Sequence, residues 1–247
     1  MIKNITAYKD LSVDFNEEKH QLFVKGEKNP WNVTGITKVI DKSPQLIWWA
    51  VGITKAYLLE MVSLGKTITA EDIVAAGNKH REEKEKAATI GDIIHEFAEQ
   101  FSLGLKPEIP TDEKAKNGVL AFLRWIDQEK IEIKNPEEIV LSKKYGFWGI
   151  KDSDGFKGVK GSIRKNRYVI DYKTSKAIYP EMRLQASAYL FASQEMNKVK
   201  YAGYWIVKFG KEDGAFETLY VSLKEAKKDF KAFLAAFELK KRLTEIK

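Results

Sequence analysis

The stretch YVIDYKTSK, Tyr168 to Lys176, runs an apolar segment straight into a cluster of Lys, Ser and Thr. Its β-branched and aromatic residues predict a strand. Alternate strand side chains share a face, so Asp171 and Lys173 project the same way. A carboxylate there can hold a divalent cation while the ammonium steadies a hydrolytic water or a phosphate oxygen, which is the chemistry of phosphodiester cleavage. On a solvent-facing strand the same pair would be a surface ion pair of little energetic weight. The segment that follows, residues 178–194 (IYPEMRLQASAYLFASQ), spaces Leu184, Ala188, Leu190 and Phe191 as a helix does and sets Gln185 and Tyr189 four apart on one face.

With 247 residues and 44% hydrophobic content, the chain is read as one domain, 1–247. No run approaches the roughly 18–20 apolar residues of a membrane span. The start, MIKNITAYKD, lacks the apolar core of a signal peptide. A soluble, intracellular, cytoplasmic protein with no membrane partner is therefore expected. The sequence has no cysteine, which excludes disulfides, thiolate zinc sites and cysteine-ligated iron–sulfur clusters. What remains is hard-cation chemistry, suited to magnesium or manganese. The net charge of +7 is concentrated: residues 142–176 hold ten Lys or Arg against three Asp. Basic excess beside acidic candidate ligands favours a polyanionic partner such as DNA over a merely solvated lysine-rich surface.

Working outward, residues 1–130 read as an N-terminal hairpin and helical region, and 131–247 as the core sheet with its flanking helices. Leu11 to Gly26 predicts a hairpin whose NEEKH break serves the turn. A short helix is predicted near Thr34–Ile40 and a longer one from Ser43, with Pro44 at its start. Trp48, Trp49, Tyr57, Leu58 and Met61 read as making that second helix a buried one. Thr69 and Asp72 form a capping-box pattern opening a helix that runs to about Phe101. His80 lies in a solvated charged stretch. His95 lies beside the stripe Ile90, Ile94, Phe97 and Phe101, with Glu99 one turn on; a lone helical histidine there is by default structural. After Pro107 and Pro110, another amphipathic helix turns Val119, Phe122, Leu123 and Ile126 inward. From Glu138 the pattern becomes an antiparallel meander ending in YVIDYKT. A helix over 177–196, strands near 201–209 and 216–221, and a basic final helix from Leu223 complete the chain.

Within the meander, Gly149-Ile-Lys-Asp152 puts an acid 19 residues before Asp171. Gly-x-x-Asp, an apolar strand ending Asp-Tyr-Lys-Thr-Ser, Gln-x-x-x-Tyr on the next helix and a preceding Gly91-x-x-x-His95 together resemble the RecB-type exonuclease branch of the PD-(D/E)XK nuclease superfamily. The segment NVTGITKVIDKSPQLIWWA resembles the N-terminal helical region of phage-encoded members, so the resemblance extends over most of the chain. It implies an α/β, α+β-like fold: a restriction-endonuclease-like core with a central mixed sheet flanked by helices. It implies that His95, Asp152 and Asp171, with the backbone carbonyl of Tyr172, bind one or two Mg or Mn ions. It further implies that Lys173 orients water or stabilises the transition state, and that Gln185 and Tyr189, with Thr174 and Lys176, position DNA. Glu138 or Glu137 is a further candidate at the metal site, with Glu138 preferred. Asp154 faces the same way as Asp152 on a strand, and the spacing from Gly149 selects Asp152. Lys151 stands where the family name has Pro, and the second acid is Asp.

The implied activity is a metal-dependent DNA exonuclease of viral or cellular recombination, replication or end processing. A structure- or sequence-specific endonuclease and a non-catalytic DNA-binding module are the alternatives. No phosphate-binding Gly-x-x-x-x-Gly-Lys-Ser/Thr loop is present. Unwinding therefore falls to a helicase, recombination or annealing partner.

Overall fold

The computed structural model describes residues 1–40, 42–159 and 161–246. Four strands open the chain as an antiparallel sheet: β1 (Ile2–Tyr8), β2 (Leu11–Asn16), β3 (Gln21–Val24) and β4 (Glu27–Asn29). The sequence predicts only the β2–β3 hairpin. β1 buries just Ala7 and Tyr8 at its far end, so no alternating apolar stripe marks it. Helix α1 (Val33–Thr37) is capped by Asn32, whose Oδ1 accepts from the Gly35 amide at 2.6 Å. Helices α2 (Ser43–Ser63), α3 (Ala70–Ser102) and α4 (Glu113–Glu129) follow. The expected box before α3 forms: Thr69 N–H donates to Asp72 at 3.0 Å, and Asp72 N–H to the Thr69 hydroxyl at 3.3 Å. Asp112 caps α4 through the Ala115 amide at 2.9 Å.

The core follows as β5 (Glu132–Lys134), β6 (Glu138–Leu141), β7 (Trp148–Lys151), β8 (Ser153–Gly158), β9 (Lys165–Lys173), α5 (Pro180–Asn197), β10 (Gly203–Phe209), β11 (Phe216–Ser222) and α6 (Leu223–Glu245). The main sheet has the order β11-β10-β9-β8-β5. Only β9 and β10 run parallel, joined by the crossover helix α5. This is the α/β architecture expected of a restriction-endonuclease-like core, a mixed sheet with helices against it.

One expectation fails in detail: the meander is broken. The run FWGIKDSDG supplies two strands in two sheets, since β7 pairs with β6 while β8 pairs with β9 and β5. Asp152 is the single residue between them. Lys151 on one side and Asp154 on the other are both drawn into one buried ion-pair cluster, with Nζ to Oδ2 at 2.9 Å, and the backbone changes sheets at that corner.

Strand β9 is covered on both faces, as its continuous apolar run requires. The Tyr172 ring sits among Phe122, Trp125 and Phe209, with centroids 5.9, 6.1 and 5.6 Å away. Val169, on the opposite face, joins the core of α5 and α6 with Tyr189, Leu190, Phe233 and Phe237. Trp125 is fully buried and absent from the predicted inward set of α4.

The chain divides into two compact units: residues 1–39 with 94–247, and Ile40–Ile93. The sequence reading instead takes one domain with a regional boundary at 130. In the smaller unit α2 meets the first part of α3 through Thr54, whose hydroxyl donates to the Ala76 carbonyl at 3.2 Å, and through Trp49, edge-on to His80. The expectation that α2 is a buried helix is wrong: none of its residues is buried, and Trp48 is 76% exposed. Apolar residues lie all round this helix, and its contact with α3 through Thr54 and Trp49 covers only one side. By length and composition alone this 21-residue helix, which holds an 18-residue window of mean hydropathy 1.2, is enough to cross a membrane, which corrects the reading that no such segment exists.

Candidate metal centre

The corner between β7 and β8 projects Asp152 toward α3. His95 Nδ1 lies 3.7 Å from Asp152 Oδ1. Glu137 completes a group in which one ligand atom from each of His95, Glu137 and Asp152 lies within 4.8 Å of the others. The register explains why Glu137 belongs here. Glu138 pairs opposite Lys151, so the preceding residue falls opposite Asp152, and the Glu137 amide donates to the Asp152 carbonyl at 3.1 Å. Glu137 reaches this place in the left-handed region, with φ of 49°.

The preference for Glu138 at this site is therefore corrected. Its carboxylate is 2.6 Å from Lys151 Nζ, a fully buried ammonium that also holds Asp154. Asp154 is itself fully buried and accepts from Asn135 at 2.8 Å, Arg167 at 2.5 Å and the Tyr201 hydroxyl at 2.9 Å. Burial alone would raise its pKa; the surrounding Lys151, Arg167 and Asn135 prevail and hold it below the usual carboxylate range. Asp152 and Asp154 thus part company. One faces the cluster and the other anchors the corner from behind.

Asp171 lies next to this group, 1% exposed, with Oδ2 at 2.6 Å from Lys173 Nζ. That contact lacks hydrogen-bond geometry, leaving Oδ2 a buried oxygen without a hydrogen-bond donor. Burial, and after it the charge of Asp152, pushes the Asp171 carboxyl up to about 7 against the pull of Lys173. Glu137 is pushed up to about 8, by burial first and then by Asp152 and Glu99. Glu137 is nevertheless an exposed residue, so solvent screens this rise, and the fully enclosed Asp171 carries the larger effect. Beyond Ile170, the last residue of β9 paired with β8, the edge of β9 is open, and the Tyr172 amide donates to Asp152 Oδ2 at 2.5 Å. The N–H and C=O of one strand residue point the same way, so the Tyr172 carbonyl lies on that edge too.

The donor set fits a hard divalent cation. One imidazole and two carboxylates converge, a third, buried carboxylate lies beside them in an ion pair with Lys173, and the raised pKa of Asp171 is one that a cation would relieve.

The helix after β9 contributes less directly than the motif suggests. Gln185 Nε2 donates to the Tyr189 hydroxyl at 2.8 Å, as their spacing predicts. Tyr189 is 3% exposed, so it cannot itself touch DNA and instead fixes Gln185. A Cβ on Gly149 would stand 2.5 Å from Tyr189 Cε1, which gives this glycine its reason. Gly91 is buried on α3, one turn before His95. Thr174 is half-buried and Lys176 exposed, both in the segment after β9.

The basic excess of residues 142–176 is largely neutralised in place. Lys143 pairs with Asp10, Lys151 with Glu138 and Asp154, Lys157 with Glu129, Lys165 with Glu132, Arg167 with Asp154 and Lys173 with Asp171. Four of these acids, Asp10, Glu129, Glu132 and Glu138, lie outside the segment, so a local charge count misses them. Lys160 lies outside the described residues.

No family model matches the chain, and no curated protein matches it in sequence. Among solved structures it is similar to SSO0001, at 16% identity and a TM-score of 0.38 over 88% of this chain and 77% of that one. It is also similar to an alkaline exonuclease, LHK-Exo, from Laribacter hongkongensis, at 15% identity and a TM-score of 0.30 over 65% of this chain and 93% of that one. The same values hold for LHK-Exo in complex with dAMP. What the site can do follows from its own side chains.

Proposed function

We propose that the protein is a divalent-metal-dependent DNA nuclease of PD-(D/E)XK type, acting as an exonuclease. The observation that carries this reading is the convergence of His95, Glu137 and Asp152 beside a buried Asp171–Lys173 pair. His95, Glu137, Asp152 and Asp171 would hold magnesium or manganese. When bound, such an ion would acidify an attacking water and offset charge building on the scissile phosphate. Lys173 donates to that water or to a non-bridging phosphate oxygen, and its short side chain-to-carboxylate contact fixes where the ammonium points. Tyr172 N–H holds the Asp152 carboxylate in orientation, and Tyr189 does the same for Gln185, leaving the amide to meet the DNA strand.

The exonuclease mode, and service in viral or cellular recombination, replication or end processing, follow from the resemblance of the motif set. A helicase, recombination or annealing partner is proposed because the sequence has no phosphate-binding Gly-x-x-x-x-Gly-Lys-Ser/Thr loop, and a cytoplasmic location goes with the proposed DNA-processing role. The test is hydrolysis of end-labelled linear DNA and of closed circular DNA, with magnesium, manganese or EDTA. Loss of linear DNA alone, abolished by EDTA, Asp171→Ala and Lys173→Ala, is the expected result. Cutting of the circle would turn the reading to an endonuclease. An inert wild type that still binds DNA would turn it to a binding module.

A further inference from the structure

Away from the metal centre, the turn between β6 and β7, α5 and α6 enclose a concavity of about 510 Å³. Its floor is aromatic. Phe191 stacks on Phe230 with centroids 4.4 Å apart, and Tyr145 meets Phe230 edge-on at 5.5 Å. The rim carries Lys144, Lys227 and Lys231. None of these three has a carboxylate partner among the described residues, in contrast to the neutralised lysines of the core. Lys227 and Lys231 are one turn apart on one face of α6, with Cβ atoms about 5–6 Å from each other. The one acid on the rim, Glu195, is engaged: it accepts from the Tyr8 hydroxyl at 3.0 Å, the Ser142 hydroxyl at 2.6 Å and the Lys144 amide at 3.0 Å.

We infer that this concavity is a second DNA contact, which takes one base of a single strand against Phe191 and Tyr145 and seats the flanking phosphates on Lys144, Lys227 and Lys231. The choice of DNA as the polyanion rests on the nuclease reading above. Flat rings backed by lysines are what sequence-tolerant single-strand binding uses, since every base has a face to stack and every nucleotide a phosphate. An acidic peptide would satisfy the lysines; paired cations one turn apart beside ring faces suit the repeating phosphate and base of a strand better. Geometry adds continuity. Helix α5 forms the floor through Phe191 and Gln194 and carries Gln185 about 9 Å back along its axis from Phe191, on a different face of the helix, so a strand passing between them must wrap around α5. A strand held in the concavity is thereby tethered a few nucleotides from the scissile bond.

The test is binding of fluorescein-labelled oligothymidylate by the full chain carrying Asp171→Asn, in EDTA, read as fluorescence anisotropy. Adding Lys227→Glu with Lys231→Glu is expected to weaken binding more than tenfold and to make the salt dependence shallower by about 1.4 in log–log slope, for two lost phosphate contacts. Phe191→Ala is expected to weaken binding about tenfold with the salt slope unchanged, since it removes stacking and no charge. In the otherwise wild-type chain, the double lysine variant should hydrolyse bis(p-nitrophenyl) phosphate at the unaltered rate. Unchanged oligonucleotide affinity in the lysine variant overturns the proposal. So does lysine-dependent binding of a labelled acidic peptide that oligothymidylate fails to displace. Oligonucleotide binding lost in the variants, with wild type inert on the small diester, would sink the nuclease reading and leave the DNA contact standing.

Discussion

At the scale of single residues, the raised carboxyl of Asp171 makes a directional prediction. In unfolded chain, carboxyls titrate near 4, whereas folded, metal-free protein holds the enclosed Asp171 up to about 7. Between about pH 4 and 7 the folded state thus carries a proton that the unfolded chain has released, and stability falls as pH rises through that window. The thermal midpoint of EDTA-treated protein should decline from pH 5 to pH 8, and Asp171→Asn should flatten the decline. A divalent cation competes with the same proton, so manganese should raise the midpoint more at pH 8 than at pH 5.5. A flat profile, or a larger gain at low pH, would contradict the assignment. Lys151 gives a second prediction. Replacing this fully buried ammonium by Met leaves Glu138 and Asp154 without their shared cation, at a cost of about 3–5 kcal/mol in chemical denaturation. Asp171 and Lys173 are legible in the sequence because strand alternation is a period of two. Glu137 is not, because its place depends on a left-handed backbone and on the pairing of Glu138 with Lys151, neither of which composition encodes.

At the scale of elements, α5 and the β7–β8 corner are held together by contact between Gly149 and Tyr189. Gly149→Ala drives a methyl into that ring, and should cost about 1–3 kcal/mol in denaturant unfolding. Tyr189→Phe removes only the hydroxyl that accepts from Gln185; it should leave the midpoint within about 1.5 kcal/mol of wild type while weakening DNA affinity, as measured by anisotropy. Loss of affinity in neither variant would detach Gln185 from the DNA path. Helix α3 is readable because it offers both a cap, Thr69–Asp72, and a stripe, Ile90, Ile94, Phe97 and Phe101. The break at Asp152 is not, because β-type residues continue on both sides of it and only tertiary ion pairing reveals the change of sheet. Helix α2 misled for the opposite reason. Its apolar composition suggests a core, yet burial is a property of neighbours, and none of its residues is buried.

At the scale of the whole molecule, net charge and its location separate. The sequence concentrates +7 in residues 142–176, and the fold brings carboxylates from β2's flanking turn, α4, β5 and β6 to meet most of it. Of the cations in that segment, Lys144 is left without a carboxylate among the described residues and joins Lys227 and Lys231 at the concavity between α5 and α6. The proposed function rests on one site built from α3, the residue before β6, the β7–β8 corner and β9. That claim is tested most directly by following hydrolysis of labelled linear DNA as manganese is titrated, for wild type, Glu137→Gln and Glu138→Gln. The account predicts that Glu137→Gln raises the half-activating manganese concentration at least tenfold while Glu138→Gln, if folded, leaves it near wild type. A wild-type titration for Glu137→Gln, or the shift appearing in Glu138→Gln alone, would contradict it.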